Sequence, residues 1–135
     1  MKDFTRPDRV ERYPYPCIWG RGAHCDLAFY DIDDDRIVVV CTDPPDNQHT
    51  AVVIVLEVLV PKICRDFQLD PDQLVWIEHY RESLGGREVF NLITFNMDDE
   101  MTLLSNPTWR EMQPNDWSEL GLFVPTVPGD RDALQ

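Results

Sequence analysis

Apolar and polar positions alternate with a period of two in several stretches of the chain, and in one stretch the period lengthens to between three and four. Asp26–Ile32 and Arg36–Thr42 are rich in strand formers (Leu27, Phe29, Tyr30, Ile37, Val38, Val39, Val40), and Asp33-Asp34-Asp35 between them supplies turn residues, so the pair predicts a β-hairpin. Gln73–Tyr80 and Glu88–Asn96 predict a second hairpin, turned at Gly85-Gly86. Within its first arm, Val75, Ile77 and His79 fall on one face, and Trp76, Glu78 and Tyr80 on the other.

Between the hairpins, Val52, Val55, Leu56, Leu59, Ile63 and Phe67 recur at helical spacing, while Glu57, Lys62, Arg65 and Asp66 fall on the opposite side. This predicts a helix over 48–67, kinked by Pro61; the valine content keeps a buried strand over 51–60 as the alternative. Met101–Leu104 reads as a further short strand. Pro114–Leu120 reads as a short helix, with proline in its first turn and Gly121 just past its end. The order ββαββ predicts an α+β fold: a two-layer sandwich in which a mostly antiparallel sheet of two hairpins carries one long kinked helix and a short C-terminal helix.

The prolines set the expected boundaries. Pro7, Pro14 and Pro16 make residues 1–24 an extended N-terminal arm, which Tyr13, Tyr15, Ile18 and Trp19 would pack onto the domain. Residues 25–123 are then one domain and 124–135 a flexible tail. At 135 residues the chain can bury about two-thirds of its unfolded surface without a disulfide or metal staple. The four cysteines are few for a disulfide scaffold, and no apolar run approaches the ~20 residues of a membrane span. A cytoplasmic protein is expected.

Charge narrows the function classes. The chain carries −13 from 25 acidic and 12 basic residues, which disfavours direct nucleic-acid binding, since that affinity comes largely from neutralising phosphates. The first 24 residues are net +2, leaving −15 on the rest. Aspartates gather at turns: 31–35, 43 and 46, 70 and 72, and 98–100. The first and last groups could lie at nearby ends of the sheet and form a negative stripe.

Candidate chemistry is sparse. Asp31-Ile32-Asp33-Asp34-Asp35 begins like a calcium loop, but Arg36 stands where the loop needs glycine and Thr42 where it needs a bidentate glutamate. His24 and Cys25 are neighbours on an extended chain and point apart. Cys17, Cys25, Cys41 and Cys64 contain no close pair for a zinc knuckle. No metal or cofactor is expected, and no catalytic residue is assigned. Glu78 lies between Trp76 and Tyr80, where a carboxylate could meet a basic partner. Trp109, in a polar setting, is a candidate interface aromatic.

These features point to a non-enzymatic acidic interaction protein that binds, and by occupying it inhibits, a basic protein partner of the kind that handles nucleic acid. The expected contact residues are Asp31, Asp33, Asp34, Asp35, Glu78, Asp98, Asp99, Glu100 and Trp109, with no membrane contact and a homodimer as an option. One alternative is a small subunit docking through an apolar face. The other is a small enzyme or ligand-binding domain in which Glu78, His79, His24 and Cys25 meet in one pocket.

Overall fold

The computed structural model describes residues 1–14, 24–33, 35–42, 59–94 and 108–124. They form a mixed six-stranded sheet with two helices, an α+β fold. The strands are β1 (Arg9–Pro14), β2 (His24–Asp31), β3 (Ile37–Thr42), β4 (Leu74–Arg81), β5 (Glu88–Thr94) and β6 (Thr108–Glu111), and they lie side by side in chain order. Helix α1 is described over 59–67, and α2 is Pro114–Glu119. None of the described helices is long and apolar enough to cross a membrane.

Both expected hairpins are present, β2–β3 and β4–β5, each antiparallel. Their relation to one another differs from an antiparallel meander: β3 and β4 run parallel, with Ile37 beside Leu74 and Thr42 beside His79. Parallel neighbours cannot be joined by a tight turn, and the connection that carries α1 makes the crossover. The proposed helix start and residues 51–58 of the alternative strand lie outside the described residues, as do Met101–Leu104 and 125–135; residues 59 and 60, the end of that alternative, are helical.

Two strands were not anticipated. Arg9–Pro14, read as part of an arm, is hydrogen-bonded to β2 as an edge strand of the sheet. Thr108–Glu111 is too short and polar to announce a strand, and it is one because β5 offers it a ladder.

The central strand is apolar on both sides. Ile37, Val39 and Cys41 join Leu27, Phe29, Trp76 and Ile93 beneath Leu59, Val60, Ile63 and Cys64 of α1. Val38 and Val40 join Tyr30, Ile77, Trp117, Leu120 and Leu122 on the opposite face. That second face is covered by α2 and by the N-terminal residues, so the expected two-layer sandwich becomes three layers. Phe4 lies among Tyr30, Phe90 and Trp117, at centroid distances of 5.4, 5.5 and 5.1 Å. The Tyr30 hydroxyl donates to the Phe4 carbonyl at 2.5 Å, and burial, aided by Asp3 and Asp8, pushes its pKa up to about 12. Lys2 donates its backbone N–H to Gly121 and accepts one from Phe123.

The two helices end alike. In α1 the Leu69 N–H reaches back to the Cys64 carbonyl at 2.8 Å; in α2 Leu122 reaches Trp117 at 2.9 Å and Gly121 reaches Ser118 at 3.0 Å. This closure needs a left-handed residue after the last turn. Gly121 (φ 75°) fills that position in α2, but Gln68 (φ 57°) fills it in α1. A Cβ at Gly121 would lie 3.1 Å from Ile32 Cγ2. Gln68→Gly is therefore expected to stabilise the protein by about 0.5–1 kcal/mol, raising Tm by about 2–5 °C. Gly121→Ala should lower Tm by at least as much. Thermal melts followed by circular dichroism test both.

Candidate functional site

The parallel β3–β4 pairing decides where the acidic turns lie. Ile37 and Leu74 begin neighbouring strands at the same end of the sheet. The β2–β3 turn, with Asp33 and Asp35, therefore adjoins the short 3-10 turn Pro71–Gln73, with Asp70 and Asp72. β1 starts at this end, since Arg9 pairs with Phe29, and β5 finishes there, since Ile93 pairs with Trp76. Arg36 donates to the Glu119 carbonyl at 2.9 Å, which brings the end of α2 to the same place. Asp31, Asp33, Asp35, Asp70, Asp72 and Glu119 are all exposed.

Local bonds shape this rim. Asp33 accepts the Asp35 backbone N–H at 2.8 Å and Arg36 Nη2 at 3.5 Å. Asp31 meets Arg9 at 3.2 Å. Asp8 is held below the ordinary carboxylate range by Lys2 and by the Asp31 backbone N–H. Most cations among the described residues thus face the chain's own carboxylates. Lys2, Arg6, Arg9, Arg12, Arg36, Lys62, Arg81, Arg87 and Arg110 are each ion-paired within the molecule.

The opposite end of the sheet is nearer to balanced, with two arginines set among three glutamates. At the β4–β5 hairpin, Glu88 accepts from Arg81 at 2.7 Å and meets His79 Nε2 at 2.6 Å, and those two contacts lower its pKa. The His79 ring stacks on Phe90 at 4.3 Å. Arg87 bridges Glu82 and Glu111. The sequence foretold none of these pairs, although the central Gly85-Gly86 turn sets Arg81 opposite Glu88.

The other six expected contact residues are Glu78, Trp109, Asp34, Asp98, Asp99 and Glu100. Glu78 is only 4 % exposed, on the face beneath α1, with Oε1 accepting from Asn91 Nδ2 at 3.4 Å. It is a core carboxylate, not a docking one: the alternation assigned its face correctly, but α1 covers that face. Trp109 holds a backbone position in β6 opposite Ile93. Asp34, Asp98, Asp99 and Glu100 lie outside the described residues.

The four residues of the enzyme alternative are kept on separate strands. His24 and Cys25 belong to β2, Glu78 and His79 to β4, and β3 runs between them. Two strand spacings put those backbones about 10 Å apart. Cys64 is no better placed as a nucleophile, because burial, then Asp70 and Asp72, push its thiol pKa up. Among the described residues no His, Cys, Asp and Glu group is arranged to hold a metal ion.

Asp116 ties α2 to the sheet. It accepts from Arg110 at 2.6 and 2.9 Å and from the Gln113 backbone N–H at 2.6 Å, and these bonds, Arg110 first, hold its pKa below the usual 3.8. A carboxyl with a lowered folded-state pKa stabilises the fold above its unfolded value, and that contribution disappears as pH falls through the folded value. Asp116→Asn is expected to melt lower than wild type at pH 7. The gap should narrow below about pH 4, which melts across a pH series would show. Comparison of the chain with family models, with curated proteins and with solved structures finds no match.

Proposed function

We propose that this protein is an acidic interaction protein that binds a basic protein partner through the rim at the β3–β4 entry end of the sheet. The observation that carries this reading is the juxtaposition of the Asp33–Asp35 and Asp70–Asp72 turns by the parallel pairing. A partner approaching that end meets carboxylates from two turns and the end of α2, with Arg36 and Arg9 already engaged by Asp33 and Asp31. Such a field steers a cationic partner into encounter and competes with nucleic acid for the same groove. Inhibition of a nucleic-acid-handling protein by occupation of that groove follows from the same chemistry. The separation of His24 and Cys25 from Glu78 and His79 favours this reading over catalysis.

The test is capture from the native host's lysate on immobilised protein, at low and high salt. Wild type is expected to retain a basic protein at low salt and release it at high salt. A D33N/D35N/D70N/D72N variant should lose it, and a control neutralised at the opposite end, E82Q/E111Q, should keep it. Equal capture by both variants, or capture that survives high salt, would overturn the proposal.

A further inference from the structure

Strand β1 is an edge of the sheet, so one side of its backbone has no neighbouring strand among the described residues. Edge strands of soluble proteins are commonly blunted by charge. Here the charges have an order: Asp8, Arg9, Val10, Glu11, Arg12. Val10 is 58 % exposed, a large apolar side chain in the middle of the edge. Glu11 is exposed and makes no ion pair among the described residues, in contrast to Arg9 and Arg12 on either side.

From this arrangement we infer that the protein self-associates through β1, with a second copy of the chain pairing antiparallel across a twofold axis at Val10. The register follows from geometry and charge. Outward-facing backbone groups alternate along a strand, so a symmetric antiparallel pairing must be centred on a residue. Centring on Arg9 sets Arg6 opposite Arg12, like against like. Centring on Glu11 sets Glu11 opposite its own mate, like against like, with Arg9 opposite Tyr13 and Val10 opposite Arg12. Centring on Val10 sets Arg9 opposite Glu11 and Asp8 opposite Arg12, and the twofold repeats both pairs.

The two Val10 side chains then meet on the axis, flanked by opposite charges. Directly opposed charges and apolar residues are the contacts that stabilise strand pairs. Arg9 and Arg12 can serve both partners. Each guanidinium has five donors, and their contacts with Asp31 and Asp26, at 3.2 and 3.0 Å, lie towards β2. The axis stands perpendicular to the sheet, so the two acidic rims point in opposite directions and stay clear of the interface. This surface meets the rim only at Arg9, through its pair with Asp31, and does not depend on the function proposed for the rim.

Sedimentation equilibrium at physiological salt tests the inference. Wild type is expected to dimerise, and E11R and R9E, which oppose like charges across the axis, should each weaken dimerisation by at least about tenfold. Mixed in equal amounts, the two variants should form a heterodimer, because Arg9 then faces Glu11, and Arg at 11 faces Glu at 9. Arg9 also lies over the Phe67 ring at 4.3 Å, so a folding failure of R9E is covered by cross-linking. V10C should form an interchain disulfide on oxidation, with wild type as the blank. E11C should not, since residue 11 is then about 7–8 Å from its symmetry mate. A wild type that stays monomeric, a dimer indifferent to E11R, or E11C cross-linking as readily as V10C would each overturn the proposal.

Discussion

The parallel ladder between β3 and β4 is the constraint on which most of this structure depends. It joins two locally encoded hairpins into one sheet. A parallel pair demands a long crossover, and the crossover supplies α1, whose Leu59, Val60 and Ile63 close one face. With neighbours on both edges and layers on both faces, β3 tolerates no polar residue from Ile37 to Cys41. Any weakening of this ladder would loosen both cores together, because alternate residues of one strand contribute to each.

The same ladder polarises the molecule. Had the two hairpins met antiparallel, the Asp33–Asp35 turn and the Asp70–Asp72 turn would stand at opposite ends. Parallel pairing puts both at one end and leaves the Arg81–Glu88–His79 and Arg87–Glu82–Glu111 contacts at the other. Part of the basic bias of the N-terminal residues is met by the sheet itself, since Arg9 and Arg12 cross to Asp31 and Asp26 of β2. Charge that looks divided along the sequence is divided along the strand axis in the structure.

Local signals were legible and non-local ones were not. The Gly85-Gly86 turn, both hairpins and α2 with its Pro114 and Gly121 could be read from spacing and turn chemistry. The parallel pairing could not, because no residue in β3 or β4 records which neighbour it will take. Thr108–Glu111 becomes a strand only through β5, and Arg9–Pro14 only through β2. For the candidate site, alternation put Glu78 and His79 on opposite faces correctly. It could not say that both faces would be covered, and so it offered a buried carboxylate as a contact residue. Asp70 and Asp72 were noted as acidic but not joined to Asp31–Asp35, since that proximity exists only in the parallel topology.

Burial of Glu78 also bears on why the acidic surplus is best understood as a surface property. A carboxylate removed from water costs several kcal/mol unless it is compensated, and Asn91 beside it is part of that compensation. The rim aspartates carry no such cost: they stay hydrated, and their bonds are to backbone N–H groups or to arginines beside them. A hydrated carboxylate near a turn can be approached directly by a partner's cation, whereas the buried Glu78 is sealed from contact by the residues packed over it. The protein uses its carboxyl groups in both ways, and only the rim set can meet a partner's charge.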